Sequence, residues 1–235
     1  MDKLNLNTHI SSKFNEELDL VRKEVLTMGG MVEQQLKDAL SAAVNMDEET
    51  AQQVIDSDHL INQIELKIDE DCTRIIAKRQ PTAGDLRLML VIMKAIADLE
   101  RIGDEAVRIA KVAHDALNHK QQNALLHHLS HLGESVQAML QQTLNVFARI
   151  DDQEAKRVYS QDEPIDREYE TLIRLLMTYM MEDPRSIPKV MSVIWAVRSL
   201  ERIGDRCQNI CEYVVYLVQG EDVRHSGRMD AKIDS

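Results

Sequence analysis

The pentapeptide Glu-Arg-Ile-Gly-Asp occurs twice in this chain, at residues 100–104 and again at residues 201–205. Each copy lies in a long segment whose apolar residues recur at helical spacing, which predicts two equivalent helices. Because a helix turns once in about 3.6 residues, Glu100 and Asp104 project from one face, as do Glu201 and Asp205. Met93, Ile96 and Val107 place Glu100 on or beside an apolar stripe.

The pentapeptide weakens the helices that contain it. Like charges at positions i and i+4 repel by about 0.2–0.5 kcal/mol, and a glycine inside a helix costs about 1 kcal/mol relative to alanine. Both features recur at two equivalent places, which favours a functional or close-packing role. Gly103 and Gly204 would allow another backbone or an ion to approach closely.

Composition predicts an all-α protein. Hydrophobic residues make up 44% of the 235 residues and aromatic residues only 3%, so aliphatic side chains and twelve Met must fill the core. Three cysteines, an odd number, fit a reducing compartment better than a disulfide framework. The N-terminus carries no secretory apolar core, and the longest apolar run spans only residues 88–93. These features predict a cytoplasmic protein without direct membrane insertion.

The net charge and the absence of catalytic motifs restrict the classes of function that the sequence allows. The net charge of −12 disfavours nucleic acid and anionic lipid as partners and favours cations. The sequence has no nucleophile and base arrangement, glycine-rich phosphate loop or nucleotide fingerprint, so we expect no enzymatic activity. A ferritin-type di-iron bundle would need Glu-x-x-His motifs, and no glutamate here stands three residues before a histidine.

The chain shows an internal repeat. Ala51, Val54, Asp58 and Ile61 are each followed 104 residues later by the same residue type, at positions 155, 158, 162 and 165. Periodicity, caps and prolines predict six helices, beginning near residues 8, 47, 82, 125, 151 and 186. The economical architecture is two tandem antiparallel three-helix bundles, at 8–117 and 121–218. A mobile tail is expected at 219–235, where the composition becomes charged and small.

The preceding helix of each repeat supplies partners for the motif acids. Asp58 and Asn62 form an i,i+4 pair, as do Asp162 and Asp166, and an antiparallel hairpin would turn these pairs toward the pentapeptides. Oxygen ligands without histidine suit hard cations such as Mg²⁺, Mn²⁺, Ca²⁺ or oxidised iron. Alternatively, the acids pair with Arg or Lys from neighbouring helices. The candidate ligands are Glu100, Asp104, Glu201, Asp205, Asp162, Asp166, Asp58 and Asn62.

Three other groups have simpler interpretations. His127, His128 and His131 could bind a transition metal, but an exposed polar face is favoured. Cys207 and Cys211 could bind zinc, but they replace Ala106 and Ala110 of the other repeat and are interpreted as small buried residues. Trp195 is interpreted as a core residue, with an exposed apolar contact surface as the alternative.

Several strings together resemble the PhoU family of phosphate-transport accessory proteins. They are the two pentapeptides, the linker Ala-Lys-Arg-Gln-Pro-Thr-Ala-Gly-Asp-Leu-Arg at 77–87, and Met-Met-Glu-Asp-Pro at 180–184. The likeness covers nearly the whole chain and ends near Gly220. It implies a cytoplasmic, often dimeric protein of two three-helix repeats that represses the phosphate-starvation response when phosphate is plentiful.

The resemblance also implies partners and a site. Such proteins act without catalysis, link the ATPase subunit of the phosphate ABC transporter to the sensor histidine kinase of the phosphate two-component system, and restrain phosphate uptake. Some carry metal clusters on acidic motifs that correspond here to Glu100, Asp104, Glu201 and Asp205. An acidic helical metal-binding or metal-storage protein is the alternative function on the same scaffold.

Overall fold

The computed structural model describes residues 12–116 and 123–221, together with Val223 and Met229. Within these residues the chain is helical and contains no strand. The elements are α1 (Ser12–Asn45), α2 (Glu48–Arg79), α3 (Ala83–Ala116), α4 (Asn123–Arg149), α5 (Asp152–Tyr159), α6 (Asp162–Glu182), a single-turn 3₁₀ helix (Pro184–Ser186) and α7 (Ile187–Gln219).

The helices form two three-helix bundles. Helices α1, α2 and α3 pack together, and α4, the consecutive pair α5 and α6, and α7 repeat this arrangement. The bundles meet through α3 against α7 and α1 against α4, so their buried apolar side chains form one continuous core. The predicted all-α architecture of two tandem three-helix bundles is confirmed. None of the helices among the described residues is long and apolar enough to cross a membrane.

The connection between the first two helices has the same backbone conformation and the same type of N-cap in both repeats. Met46 and Ile150, which are 104 residues apart, both adopt the left-handed conformation, with φ of 58° and 54°. This conformation ends a helix because the next residue cannot continue the helical hydrogen bonds. Asp47 then accepts a hydrogen bond from the Thr50 amide at 3.1 Å, and Asp151 accepts one from the Glu154 amide at 3.0 Å. Both aspartates are therefore N-caps, of helices whose starts the sequence predicts near residues 47 and 151.

The fifth predicted helix is interrupted. The sequence predicts one continuous helix from Asp152 to Asp183, whereas α5 ends at Tyr159 and α6 begins at Asp162. Pro164 explains the break, because it has no N–H to donate to the Ser160 carbonyl and its ring crowds that carbonyl. The first repeat has Leu60 at the position that corresponds to Pro164, and α2 runs through it without interruption.

A reciprocal glycine contact joins α1 and α4. A Cβ atom on Gly29 would lie 2.6 Å from the Leu144 Cδ2 atom, and a Cβ atom on Gly133 would lie 2.6 Å from the Leu40 Cδ2 atom. Gly133 and Leu144 stand 104 residues after Gly29 and Leu40, so one contact is the repeat image of the other. The repeats therefore pack through a pseudo-two-fold interface, in which each surface contacts its own counterpart.

Polar side chains cross the second interface between the bundles. Asp98 of α3 is buried and accepts hydrogen bonds from the Tyr213 hydroxyl at 2.9 Å and from Arg206 Nη1 at 3.2 Å. The Ser199 hydroxyl donates to Glu105 at 2.7 Å. Since Ser199 and Arg206 correspond to Asp98 and Glu105 in the other repeat, this second contact is again a repeat image of the first. The network fixes α3 against α7, the two helices that carry the pentapeptides.

The chain ends lie partly outside the described residues. The predicted start of the first helix near residue 8 and the connection at 117–121 fall outside them. Helix α7 stops at Gly220, which adopts φ of 76° beside the Arg87 guanidinium, and Val223 and Met229 are buried against the core. The predicted domain boundaries and the mobile tail stay predictions.

Candidate functional site

Four of the predicted ligands face one another in the second bundle. Asp162 of α6 is 3% exposed and lies directly over Gly204 of α7, where a Cβ atom would overlap its Oδ1 atom. Glu201 is half-buried on α7, while Asp205 and Asp166 are exposed. Because Gly204 has no side chain, the Asp162 carboxylate can approach the backbone of α7 closely, as the glycine inside the helix suggested.

Burial raises the pKa of all four carboxyls, and nearby carboxylates add to each shift. Desolvation and the charges of Asp166, Asp205 and Glu201 raise the pKa of Asp162 to about 7. Desolvation is also the main cause of the raised pKa of Glu201, of Asp205 and of Asp166. The Asp162 Oδ1 atom is buried and has no hydrogen-bond partner. A cation at this position would remove the cost of burying it.

The first bundle carries a related but different arrangement. Its four predicted residues are Glu100, Asp104, Asp58 and Asn62. Desolvation raises the pKa of Glu100 and of Asp104, and neighbouring carboxylates add to both shifts. The Asp58 Oδ1 atom would lie 3.5 Å from a Cβ atom on Gly103. The Asn62 amide donates to Asp58 at a long 3.5 Å, so in this conformation Asn62 is a neighbour of Asp58.

Two residues of this first site were missed by sequence reasoning. Gln35 of α1 donates to Asp58 Oδ1 at 3.0 Å, while its own buried Oε1 atom has no partner and lies 3.0 Å from the Cβ position at Gly103. Glu65 of α2 contributes to the raised pKa of Glu100. Glu65 is seven residues after Asp58 and so shares its helix face, a signal that the sequence contained.

The two acidic sites differ because one residue that faces them differs between α1 and α4. The position of Gln35 is occupied by Met139 in the second repeat. Methionine cannot donate a hydrogen bond, so Asp162 lacks the partner that Asp58 has. The second site therefore has the less satisfied carboxylate and the stronger electrostatic reason to bind a cation.

The donor set fits a hard cation. All the predicted ligands supply oxygen, which suits Mg²⁺, Mn²⁺, Ca²⁺ or oxidised iron. The alternative, in which the candidate acids form ion pairs with Arg or Lys, is not seen: none of these acids takes part in an ion pair among the described residues. Arg202 of the second pentapeptide contacts Glu105 instead. No three His, Cys, Asp or Glu side chains in the described part of the chain already converge as metal ligands. Binding would require the exposed carboxylates to rotate toward Asp162.

The remaining candidates have structural roles or lie at the surface. His128 and His131 are exposed, and His131 Nδ1 lies 2.6 Å from the Glu168 carboxylate, whereas the side chain of His127 lies outside the described residues. Cys207 and Cys211 are buried free thiols whose pKa is raised by desolvation, as expected for small core residues. Trp195 is 55% exposed, so its interpretation as a core residue is wrong.

The two bundles coincide with a known domain. The family model of the PhoU domain matches residues 25–113 and again residues 129–214. The chain belongs to the PhoU family. The phosphate-specific transport system accessory protein PhoU of Escherichia coli K12 is 55% identical over 97% of this chain and 94% of its own length. The PhoU homologue of Pseudomonas aeruginosa PAO1 is 49% identical over 100% of this chain and 98% of its own length.

Solved PhoU structures share the fold. The crystal structure of PhoU from Pseudomonas aeruginosa superposes with a TM-score of 0.86 at 50% identity, covering 88% of this chain and 100% of that one. The phosphate transport system regulatory protein PhoU from Streptococcus pneumoniae superposes with a TM-score of 0.82 at 33% identity, covering 89% and 99%. The family resemblance that the pentapeptides, the 77–87 linker and the 180–184 string indicate is confirmed.

Proposed function

We propose that this protein regulates phosphate homeostasis in the cytoplasm by coupling the ATPase subunit of the phosphate ABC transporter to the sensor histidine kinase of the phosphate two-component system. When phosphate is plentiful, it represses the phosphate-starvation response and restrains uptake. The observation that carries this proposal is membership of the PhoU family over both repeats, together with relatives named as accessory and regulatory proteins of phosphate transport. The protein acts through contacts with other proteins and not through catalysis, and we propose that it does so as a homodimer.

We further propose that the acidic sites bind divalent or trivalent cations. The supporting observation is the buried, unpartnered Asp162 Oδ1 atom among carboxyls whose pKa is raised. When bound, the cation would supply positive charge at a point where the protein provides none. The residues that would hold it are Asp162, Asp166, Glu201 and Asp205 in the second bundle, and Asp58, Asn62, Glu100 and Asp104 in the first.

Deletion of the gene tests the regulatory proposal. Without the protein, a reporter driven by a phosphate-starvation promoter should stay on in high phosphate, and phosphate uptake should rise. Repression in the deletion strain equal to wild type would overturn the proposal. A complementary pull-down from phosphate-replete and starved cells should recover the kinase and the transporter ATPase in a phosphate-dependent manner.

Substitution of the acids separates regulation from metal binding. Glu100→Gln combined with Glu201→Gln should leave both bundles intact, because glutamine keeps the size of glutamate and both side chains are only half-buried and make no ion pair among the described residues. If cations hold the signalling conformation, this variant should lose repression at normal protein abundance. If repression persists in the variant but is lost in the deletion strain, the regulatory proposal stands and the role of the cation is rejected.

A further inference from the structure

A groove between the bundles is basic, although the chain carries a net charge of −12. The groove opens between α3 and α7, on the helices that carry the pentapeptides, and has a volume of about 430 Å³. Four basic side chains and one aromatic side chain line it: Arg108, Lys111, Arg198, Arg202 and Trp195. Concentrating four cations on one groove of an acidic protein costs Coulomb energy unless an anion binds there.

The buried Glu105, which contacts side chains of the groove lining, holds two of these cations in place. Glu105 is 8% exposed and accepts hydrogen bonds from Arg108 Nη1 at 2.5 Å and from Arg202 Nη1 at 3.2 Å. The Ser199 hydroxyl donates to the other Glu105 oxygen at 2.7 Å. Each guanidinium has five N–H donors, so both arginines keep donors that Glu105 does not use. Glu105 therefore orients a pair of arginines and leaves them able to bind a second anion.

The other two cations are free to bind a ligand. Lys111 and Arg198 are exposed and take part in no ion pair with the described residues. The residues that line the groove carry four positive charges and no carboxylate. Outside the lining, Glu105 contacts two of the arginines, and the charges of Arg198 and Arg202 partly offset the rise that desolvation causes in the pKa of Glu201. Arg and Lys are the side chains that bind phosphate groups, Arg by paired N–H donors and Lys as a point charge.

Trp195 adds a flat apolar surface beside these cations. Its side chain is 55% exposed, and it is the only tryptophan of the chain. Exposed aromatic rings next to basic residues bind nucleobases by stacking. The groove thus offers one surface for a planar ring and another for phosphate.

The internal duplication shows that the packing of α3 on α7 does not by itself produce this chemistry. Residues 101 positions away in the chain occupy the equivalent places of the other repeat. There, Asn209 and Glu212 correspond to Arg108 and Lys111, while Lys94 and Ala97 correspond to Trp195 and Arg198. The same helix packing therefore carries a tryptophan and four cations at one end only.

We propose that this groove binds a nucleoside polyphosphate, with the base stacked on Trp195 and the phosphates held by Lys111, Arg198 and the free donors of Arg108 and Arg202. The volume is in the range of pockets for small ligands, about 300–1,000 Å³. Inorganic phosphate alone would leave Trp195 without a partner. The site uses no glycine-rich loop, so no nucleotide-binding motif marks it in the sequence. The proposal does not rest on the regulatory role, but the groove adjoins the second acidic site, because the charges of Arg198 and Arg202 act on the pKa of Glu201 against the rise caused by desolvation.

Trp195 allows ligand binding in the groove to be measured by fluorescence. Because the protein has one tryptophan, fluorescence excited at a wavelength that the five tyrosines do not absorb reports Trp195 alone. Titration of the full chain with ATP or GTP should quench this fluorescence saturably, with affinity falling from triphosphate to monophosphate and little binding of adenosine. The titrations are run at constant ionic strength, with Mg²⁺ and again with a chelator, so that binding through a cation at the acidic sites is recognised by its loss in chelator.

Substitutions of the groove residues test which side chains contact the nucleotide. Lys111→Gln and Arg198→Gln should each weaken ATP binding about tenfold, the effect of losing one charge-assisted contact. Lys37→Gln makes the same charge change on an exposed part of α1 and should leave the affinity unchanged. Trp195→Ala, followed by calorimetry, should weaken ATP binding while leaving tripolyphosphate binding unchanged.

Three results would overturn the assignment. The first is the absence of saturable quenching by either triphosphate. The second is equal affinity of wild type, Lys111→Gln and Arg198→Gln for ATP. The third is tripolyphosphate binding as tightly as ATP, which would make the groove a general polyanion site with no role for the base.

Discussion

The Asp162 carboxylate of α6 lies over Gly204 of α7, so close that a Cβ atom at residue 204 would overlap Oδ1. The glycine of the second pentapeptide thus makes room for a carboxylate from the neighbouring helix. That carboxylate has a buried oxygen without a hydrogen-bond partner. The helix-weakening glycine and the unfavourable burial of the aspartate are therefore two parts of one contact.

Asp162 should make stability depend on pH. Its folded pKa of about 7 lies above the usual 3.8, so the folded state binds more protons between these values. Stability should therefore fall as the pH rises from 4 to 7, and the loss should be complete above pH 7. Asp162→Asn removes this penalty, so the variant should be more stable than wild type at pH 8, by up to about 4 kcal/mol, with the difference vanishing near pH 4.

Denaturant unfolding in chelator at pH 4, 6 and 8 measures this difference. Asp19→Asn is the matched control, because Asp19 is exposed on α1. A variant less stable than wild type at pH 8 would show that the Asp162 carboxylate is satisfied in a way that the structure does not contain.

Cations should stabilise the second site through its acids. Adding Mg²⁺ or Mn²⁺ to chelator-treated protein should raise the melting temperature, because a ligand that binds only the folded state shifts the unfolding equilibrium. Glu201→Gln combined with Asp205→Asn should reduce this rise, since it removes two charges beside Asp162. Thermal melting at pH 7.5 with increasing metal concentration measures the effect.

The control for this experiment makes the same two chemical changes elsewhere. Glu16→Gln with Asp19→Asn lies on an exposed face of α1 and should keep the full metal response. If both double variants respond to metal as wild type does, Glu201 and Asp205 are not ligands.

The adjacent glycines of α1 should respond differently to alanine. Gly30→Ala should stabilise the protein by about 1 kcal/mol, because alanine favours the helix and no atom lies within 4 Å of the new Cβ position. Gly29→Ala should gain less or destabilise, because the new Cβ atom would lie 2.6 Å from Leu144 Cδ2. Unfolding free energies of the two variants decide this, and equal gains would show that Leu144 moves aside without cost.

The inter-repeat network should be sensitive to loss of Asp98. Asp98→Ala leaves Arg206 and Tyr213 without their shared acceptor at the α3–α7 interface. We expect a loss of about 2–4 kcal/mol in unfolding free energy, against about 1 kcal/mol for Tyr213→Phe, which removes a single hydroxyl. Chemical denaturation measures both variants. Similar small losses would mean that water replaces the carboxylate at the interface.

Local signals in the sequence predicted most of the helix pattern. Asp47 and Asp151 act on amides two or three residues away, so their capping roles can be read from the chain alone. The break near Pro164 also has a local cause, because a proline removes one helical hydrogen bond and crowds the preceding turn. Spacing placed the motif acids beside the second-helix acids correctly, because helix periodicity fixes which side chains share a face.

Periodicity and residues a few positions apart were enough to predict most of the helices, the duplication, the family and the acidic pairs. Only the tertiary structure showed that Gln35 of α1 satisfies Asp58 while Met139 leaves Asp162 unsatisfied. It also showed that Arg108 and Trp195, 87 residues apart in the chain, line one groove. These relationships depend on how α1, α3 and α7 pack, and packing is set by the whole core and not by any one segment.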